Sequence, residues 1–393
     1  MIKDRYLHRS IMDDLKTKMV FIGGPRQVGK TTLAKFIGAA DYSKCTYLNW
    51  DNREHRKMIL TGEFAGNADL IIFDEIHKYK GWKNYIKGEY DEHKDHFHML
   101  VTGSARLDVY RRGGDSLMGR YHYYRLHPFS WSESLEHMPI LKPGKALSFL
   151  ENLPTSHVRS FKHLLVFGGF PEPFLGRNDK VLNRFHNERL DRLIREDIRD
   201  IEALRDLSAL QIMVELLPEK VGSLFSLNSL REDLGVAHKT IRHWTDVLER
   251  FYYHFRIYPF HATTVKSLRK EPKLYCWDWS EVHAEAARLE NMVASHLLKM
   301  VHFLQDTEGC KTELWFLRDA EGREVDFLVT HDKKPWFCVE VKQSADDFSK
   351  HLFYFKKRLT IPFVYQVTGE TGQDVIKKGV RLISADKFLT GLI

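Results

Sequence analysis

The chain has 393 residues, more than one hydrophobic core usually contains, and its length therefore predicts two or three domains. Hydrophobic residues make up 43% and aromatic residues 12% of the chain, a balance that excludes a disordered or low-complexity protein. The 60 lysines and arginines exceed the 53 acidic residues and give a net charge of +7, which permits a nucleic-acid partner without establishing one.

The N-terminal residues and the cysteines bear on where the protein works. Residues 1–10 are polar and charged, unlike a secretory signal, and no apolar run approaches the roughly 20 residues that span a bilayer. The four cysteines lie far apart and form no C-x-x-C pair, so free thiols are expected. We therefore expect a cytoplasmic protein with no membrane partner.

The segment 18–32 (KMVFIGGPRQVGKTT) has the order of a phosphate-binding loop. An apolar run at 19–22 predicts a buried strand, the pattern G-x-x-x-x-G-K-T follows it, and a helical pattern comes next. Backbone N–H groups of such a loop surround phosphate oxygens, Lys30 reaches the β and γ phosphates, and Thr31 places its hydroxyl on Mg²⁺. The predicted ATP-binding residues are Gly24, Pro25, Arg26, Gln27, Val28, Gly29, Lys30, Thr31 and Thr32.

A second apolar run, at 70–73, ends in two acids, Asp74 and Glu75. A continuous hydrophobic run is typical of a buried parallel strand, and α/β sheets bind ligands at the carboxyl ends of their strands. Asp74 is predicted to complete the Mg²⁺ shell, and Glu75 is predicted to orient and deprotonate the attacking water.

A third strand pattern, at 97–101, leads to the polar tip Thr102-Gly103-Ser104. Ser104 is predicted to sense the nucleotide through a hydrogen bond to the γ-phosphate or the water, with an ordinary turn as the alternative.

Arg120 precedes a strand pattern at 121–126 and is predicted to stabilise transition-state charge in a neighbouring subunit. A solvated surface arginine is the alternative for Arg120.

These motifs resemble those of a widespread bacterial and archaeal family of AAA+-like ATPases whose C-terminal half is a domain of unknown function. The likeness is carried by G-P-R-Q-V-G-K-T-T-L, I-I-F-D-E-I-H, T-G-S-A-R and G-R-Y-x4-L-x-P-F-S-W-S-E. It extends over nearly the whole chain and includes 168–171 (GGFP), which is similar to a glycine–proline motif beside the nucleotide in related signalling ATPases. The resemblance implies ATP turnover with Mg²⁺ and a homo-oligomer, for which a hexameric ring is one form.

The middle of the chain has helical patterns. Residues 131–206 predict a helical lid, and 207–260 give helix, glycine turn and helix, followed by strand-like runs that flank a basic loop. This is the layout of a winged helix, whose second helix and wing contact DNA. The predicted DNA-binding residues are Lys239, Arg242, His243 and Lys266. A lid or an oligomer contact that does not bind DNA is the alternative.

Two strand patterns near the C-terminus, 324–329 and 336–342, carry a second group of charged residues. Alternation places Glu340 and Lys342 on one face, and Asp326 on the adjacent strand can meet Glu340. Two carboxylates chelate Mg²⁺ or Mn²⁺ through hard oxygens, and Lys342 can polarise the water or the phosphate. A buried ion network without a metal is the alternative.

This C-terminal pattern is similar to the PD-(D/E)xK nuclease core, including archaeal Holliday-junction resolvases. The resemblance implies that Glu290, on a preceding helix, joins Asp326 and Glu340 as a metal ligand. The sequence departs from the pattern at one position, since Val325 stands where the motif proline precedes Asp326.

The sequence therefore predicts an α/β protein with a parallel P-loop sheet, a helical lid plus winged helix, and a C-terminal α/β nuclease-like domain. The expected domains are 1–130 for the ATPase core, 131–206 for the lid, 207–280 for the winged helix and 281–393 for the nuclease-like domain. The expected function is an ATPase that remodels or cuts branched or duplex DNA. The alternatives are a signalling switch that binds a partner protein, and an ATPase that binds DNA without cutting it.

Overall fold

The computed structural model describes residues 4–393 apart from 65, 67, 104–116, 154, 199–206, 262–269 and 345–346. Contacts between Cα atoms divide the chain into two units, Met1–His127 and Pro128–Ile393. Sequence analysis placed the end of the first domain close to this boundary, at residue 130.

The first unit contains a five-stranded parallel sheet in the order β2–β3–β4–β1–β5. Its strands are β1 (Met19–Gly23), β2 (Cys45–Asn49), β3 (Leu70–Asp74), β4 (His98–Thr102) and β5 (Tyr121–Arg125). Its helices are α1 (His8–Leu15), α2 (Lys30–Asp41), α3 (Arg53–Thr61) and α4 (Trp82–His93), with a 3₁₀ turn at Ile76–Lys78. Every residue of β1 and β3 is buried, which explains their continuous apolar sequences and confirms the predicted parallel sheet.

Strand register brings the carboxyl ends of the strands together at one edge of this sheet. Asn49 at the end of β2 pairs with Asp74 at the end of β3, and Asp74 pairs with Thr102 at the end of β4. Strand β1 lies between β4 and β5, so the loop that follows β1 begins at the same edge. Ligand-binding side chains are expected at this edge.

The second unit begins with helices and short turns. Its helices are α5 (Trp131–Ser134), α6 (Thr155–Phe167), α7 (Pro171–Gly176), α8 (Asp179–Arg192), α9 (Leu207–Leu216), α10 (Leu227–Leu234), α11 (His238–Arg250), α12 (Glu285–Glu308), α13 (Lys350–Leu359) and α14 (Ala385–Phe388). A π-helical turn covers Leu193–Ile198, and 3₁₀ turns cover Leu217–Lys220, Trp279–Glu281 and Leu389–Gly391. Gly235 ends α10 with a φ of 65°, so the predicted helix, glycine turn and helix are present.

The strands of the second unit form one eight-stranded sheet in the order β12–β13–β11–β10–β9–β8–β6–β7. They are β6 (His254–Pro259), β7 (Lys273–Cys276), β8 (Thr312–Arg318), β9 (Glu324–His331), β10 (Lys334–Lys342), β11 (Phe363–Thr368), β12 (Asp374–Lys377) and β13 (Val380–Ser384). Sequence analysis assigned β6 and β7 to a winged helix ending at 280. They instead continue the C-terminal sheet, because β6 pairs in parallel with β8.

The structure also tests the expectations that no helix spans a membrane and that the cysteines are free. No helix among the described residues is both long enough and apolar enough to cross a membrane. All four cysteines are free, two of them buried, as their spacing predicted.

Candidate nucleotide site and carboxylate cluster

The predicted phosphate-binding residues form the loop between β1 and α2 and the first turn of that helix. Gly24 has a φ of 136°, and a Cβ there would lie 2.5 Å from the carbonyl oxygen of Leu126, so only glycine fits. The Lys30 side chain is buried, and its Nζ donates to the carbonyl oxygens of Gly24 at 3.0 Å and Pro25 at 2.6 Å. The ammonium therefore lies inside the loop.

The Asp74 carboxylate accepts hydrogen bonds from three hydroxyl groups at the carboxyl edge of the sheet. Its Oδ2 accepts from Thr31 Oγ1 at 2.9 Å and from the Tyr47 hydroxyl at 2.6 Å, and its Oδ1 accepts from Thr102 Oγ1. The predicted pair Thr31 and Asp74 is thus in direct contact although 43 residues separate the two. A hydroxyl and a buried carboxylate are hard oxygen donors, which fit Mg²⁺.

Glu75 follows Asp74 at this edge in a left-handed conformation with a φ of 57°. Its backbone N–H donates to the carbonyl oxygen of Thr102 at 3.0 Å, which fixes its position relative to β4. Its Oε2 lies 3.4 Å from Lys78 Nζ and 3.6 Å from His77 Nε2. Burial raises the pKa of the Glu75 carboxyl, and the charges of Lys78 and Lys30 oppose that rise. A carboxylate with a raised pKa is a stronger base.

Three further residues contact this site, and sequence analysis did not assign two of them, Tyr47 and Arg5, to it. Tyr47 and Thr102 donate to Asp74, and Arg5 donates to the carbonyl oxygens of Val28 at 3.0 Å and His127 at 2.6 Å. None of the three lies next to the 24–32 loop in the sequence. The polar strand tip at Thr102 did indicate a contact with the nucleotide. The predicted sensor, Ser104, lies outside the described residues.

Arg120 lies at the opposite edge of the sheet, just before β5. Its carbonyl oxygen accepts from the N–H of Met19 at the start of β1, at 3.2 Å. Its guanidinium forms a two-point contact with Asp91, through Nε at 2.7 Å and Nη2 at 3.0 Å. The predicted role in a neighbouring subunit stays a prediction, and within its own unit Arg120 is part of a surface ion pair.

The predicted DNA-binding residues of α11 lie on its exposed side. Lys239, Arg242 and His243 are exposed, whereas Ile241 and Trp244 on the opposite side are buried. The fourth predicted residue, Lys266, lies outside the described residues. DNA contact by this helix stays a prediction.

The C-terminal acids meet across the antiparallel pair β9–β10. Register between Phe327 and Val339 places Asp326 opposite Glu340. The N–H of Val341 donates to Asp326 Oδ2 at 2.9 Å, and Lys342 Nζ contacts Glu340 Oε1 at 2.8 Å. The predicted group Asp326, Glu340 and Lys342 is therefore assembled as strand alternation indicated.

Glu290 of α12 joins this cluster together with a lysine that the sequence motif does not contain. The buried ammonium of Lys273, on β7, lies 3.0 Å from Asp326 Oδ1, 2.7 Å from Glu324 Oε1 and 3.6 Å from Glu290 Oε1. Burial alone would lower the pKa of Lys273, but the charges of Asp326, Glu290 and Glu324 raise it above its usual value. The Tyr275 hydroxyl donates to Glu290 at 2.7 Å.

The cluster has the donor set of a divalent-cation site. Glu340 Oε2 is buried and has no hydrogen-bond partner among the described residues. Burial, followed by the charge of Asp326, raises the pKa of Glu340 to about 7, and the same two causes raise the pKa of Glu290 to about 7. A site made of carboxylate oxygens suits Mg²⁺ or Mn²⁺. Such an ion would give Glu340 Oε2 a partner and would reduce the repulsion among the carboxylates.

A third charged cluster lies against the 168–171 segment. Ligand atoms of His186, Asp278 and Glu281 lie within 4.8 Å of one another. Arg189 Nη1 lies 2.9 Å from Glu281 and 3.6 Å from Asp278, and His186 Nε2 lies 3.5 Å from Asp278, so basic side chains already contact both carboxylates. Gly168 has a φ of 75°, and a Cβ there would lie 2.6 Å from Asp278 Oδ1. We interpret this cluster as an ion network that needs glycine at 168.

Three family models match successive parts of the chain. Residues 16–135, which contain the phosphate-binding loop and the parallel sheet of the first unit, match the model described as an AAA domain. Residues 158–291 and 286–388 match two models that are each described as a domain of unknown function, DUF8612 and DUF4143.

Relatives and solved structures share limited identity with the chain. An uncharacterized protein of Mycobacterium tuberculosis is 23% identical over 353 residues, covering 87% of this chain and 72% of the relative. The RuvB Holliday junction branch migration motor of Thermotoga maritima is 19% identical, with a TM-score of 0.24 over 65% of this chain and 88% of that chain. A signal transduction ATPase with a tetratricopeptide repeat sensor from Pyrococcus horikoshii is 14% identical, with a TM-score of 0.29 over 77% of this chain and 46% of that chain.

Proposed function

We propose that this protein hydrolyses ATP at the 24–32 loop and uses the turnover to act on DNA. The contact between Thr31 and Asp74, with Lys30 inside the loop and Glu75 beside it, carries the first half of the proposal. The match of residues 16–135 to an AAA domain supports it. A homo-oligomer, of which a hexameric ring is one form, is part of the proposal because an arginine such as Arg120 would act on a neighbouring subunit.

The residues of the loop and of the neighbouring strand ends each have a role in this proposed reaction. Lys30 binds the β and γ phosphates, and the loop N–H groups orient them. Thr31 and Asp74 would hold Mg²⁺, which would supply positive charge beside the phosphate oxygens. Glu75 orients the attacking water and accepts its proton at the carboxylate.

Two substitutions separate binding from turnover in the ATPase reaction. Glu75→Gln should lower kcat by about 10²- to 10⁴-fold with little change in ATP affinity, because the amide cannot accept the water's proton. Lys30→Ala should instead weaken ATP binding, because the phosphates lose the cation of the loop. Phosphate release and fluorescent-nucleotide titration measure the two quantities. Normal hydrolysis by Glu75→Gln would show that the base has been assigned wrongly.

The second half of the proposal is metal-dependent action on branched or duplex DNA by the second unit. Asp326, Glu340 and Glu290 would hold Mg²⁺ or Mn²⁺, and Lys342 would polarise the water or the phosphate. The exposed Lys239 and Arg242 of α11 would contact DNA phosphates. The unpartnered Glu340 Oε2 is the observation that favours a cation in this cluster.

Lys273 favours a second candidate, in which the second unit binds a partner protein or DNA without cutting it. Its ammonium already lies within 3.0 Å of two carboxylates of the cluster, as a metal ion would. The cluster would then be an ion network with a structural task. Removing one member of such a network leaves an uncompensated buried charge, which costs about 3–5 kcal/mol.

Cleavage assays and melting curves distinguish the two candidates. Labelled duplex, forked and four-way DNA are incubated with the protein and Mg²⁺ or Mn²⁺, with and without ATP. Asp326→Ala, Glu340→Ala and Lys342→Ala should each abolish cleavage with small changes in melting temperature, since residues that act as one catalytic unit fail together. No cleavage by the wild type with either metal, together with large drops in melting temperature, would leave only the second candidate.

A further inference from the structure

A cavity of about 490 Å³ in the second unit is lined by Ser156, Arg159, Ser160, His163 and Arg177. The first four lie on α6 at spacings of three, one and three residues, so they share one side of that helix. The fifth, Arg177, ends the short helix α7 in a left-handed conformation. Hydroxyl, imidazole and guanidinium donors of two helices therefore line one open cavity.

The positive charge of this cavity has no acidic partner among the described residues. Within that part of the chain, neither Arg159 nor Arg177 forms an ion pair or a side-chain hydrogen bond, whereas Arg184 of α8 pairs with Glu188 at 3.9 Å. Burial lowers the pKa of His163, and the charges of Arg177 and Arg159 lower it further. Like charges held together in this way raise the free energy of the empty cavity, and an anion would lower it.

We propose that this cavity binds a phosphate group. Arginine guanidiniums form two-point hydrogen bonds with phosphate oxygens, and serine hydroxyls are common additional donors. Ser156 and Arg159 lie in the first half of α6, where the helix dipole adds partial positive charge. None of the described residues that line the cavity is a carboxylate, so the site discriminates against cations.

The phosphate can come from a DNA backbone or from a free phosphate compound such as pyrophosphate. The DNA source rests on the DNA action proposed above, whereas the phosphate site itself does not. Because the cavity is open, it would position DNA on the second unit.

The test compares the double variant Arg159→Gln/Arg177→Gln with the control Arg184→Gln in the full-length protein. Arg184 lies on α8 and is also exposed, but it has an acidic partner. Fluorescence anisotropy with a labelled duplex is measured over a range of salt concentrations. The double variant should bind about tenfold more weakly at 0.1 M salt, and its slope of log affinity against log salt should fall by about two, because two phosphate contacts are lost.

A second arm measures pyrophosphate by isothermal titration calorimetry in the Lys30→Ala background, which weakens the ATP loop. Pyrophosphate should bind, and the Arg159→Gln/Arg177→Gln changes should remove that binding while Arg184→Gln leaves it unchanged. Titration of the His163 imidazole by NMR should show its pKa rising when pyrophosphate is added, because an anion stabilises the charged ring.

The outcomes separate this inference from the proposed function. Effects in both arms support a phosphate site that takes DNA. An effect with pyrophosphate alone supports the site with a free phosphate compound as its source, and no DNA binding by the wild type would then count against the proposed DNA action only. DNA binding that is equal in the double variant and the control, with no pyrophosphate effect, would overturn the inference and leave the proposed function standing.

Discussion

Asp74 accepts hydrogen bonds from three hydroxyl groups of the candidate nucleotide site. Its carboxylate accepts from Thr31, Tyr47 and Thr102, which come from α2 and from the two strands that flank β3. Hydrogen bonds of this kind orient a metal-binding carboxylate and are worth about 10- to 100-fold in metal affinity. Of these donors, the phosphate-loop motif contains only Thr31.

Removing the Tyr47 hydroxyl should weaken binding of Mg²⁺–ATP. We expect Tyr47→Phe to lower the affinity by about tenfold, because Asp74 loses one of the hydrogen bonds that orient it. Tyr42→Phe is the matched control, since the Tyr42 hydroxyl contacts His98 at 2.7 Å and not Asp74. Titration with a fluorescent ATP analogue at varied Mg²⁺ measures the difference. Equal affinities for the wild type and Tyr47→Phe would remove Tyr47 from the site.

The His186 network makes a pH-dependent contribution to stability. Burial by itself lowers the pKa of His186, but the Asp278 carboxylate raises it above its ordinary value against the opposing charge of Arg189. The folded state therefore binds the proton more tightly. This stabilisation is fully present below the unfolded-state pKa of about 6.5 and is lost as pH rises through the folded-state pKa.

We therefore expect His186→Asn to destabilise the protein by about 1 kcal/mol at pH 5.5 and by less at pH 9. Urea unfolding of both proteins at several pH values gives the difference in free energy. His238→Asn, at an exposed histidine, is the control and should show no such trend. A difference that grows with pH would mean that His186 is neutral in the folded protein.

At the scale of elements, the PFSWSE segment at 128–133 is held inside the second unit. The Trp131 N–H donates to His296 Nε2 at 3.0 Å, and the Trp131 indole donates to the carbonyl oxygen of Asp386 at 2.8 Å. Lys299 of α12 forms a buried ion pair with Glu133 and donates to Ser130 Oγ at 3.0 Å. The segment that follows the last strand of the ATPase sheet is thus an anchor of the second unit.

Breaking that ion pair should destabilise the protein strongly. Lys299→Met leaves the Glu133 carboxylate buried without its cation, which costs about 3–5 kcal/mol and lowers the melting temperature by about 10 °C. The double variant Lys299→Met/Glu133→Gln should recover part of the loss, because no uncompensated charge remains. Differential scanning calorimetry measures both. Additive losses in the double variant would contradict a direct pairing.

At the scale of the whole molecule, the two candidate sites belong to different units of the chain. The candidate nucleotide site lies in Met1–His127, and the carboxylate cluster lies in Pro128–Ile393. The cluster itself combines residues from β7, β9, β10 and α12, so the predicted winged helix contributes Lys273 to it. A single sheet connects β7 to the C-terminal strands.

Asp326→Ala should therefore leave ATP hydrolysis unchanged within about twofold, because Asp326 shares no hydrogen-bond or ion-pair partner with the described residues of the 24–32 loop and independent sites act additively. Steady-state phosphate release with and without DNA measures this, and Asp319→Ala, at another acid of the second unit outside the cluster, is the control. A large loss of DNA-independent hydrolysis in Asp326→Ala alone would mean that the two sites are energetically coupled.

The sequence by itself determined the features that are local in the chain. The phosphate loop is contiguous from Gly24 to Thr31, so its strand, turn and helix follow from residue order. The meeting of Asp326 and Glu340 was also predictable, because one turn joins β9 and β10 and alternation fixes which side chains share a face. The α10–Gly235–α11 unit followed from helical periodicity and a glycine stop.

Only the tertiary structure decided which distant residues complete each site. Tyr47 and Thr102 reach Asp74 through parallel strand register, and Lys273 reaches Asp326 because β6 pairs with β8 across more than 50 residues of sequence. Pairing of strands that lie far apart in the chain leaves no periodic trace in either one, since the hydrophobic pattern records burial and not the identity of the neighbour. For the same reason the sequence assigned β6 and β7 to a separate domain, whereas strand pairing joins them to the sheet that carries the carboxylate cluster.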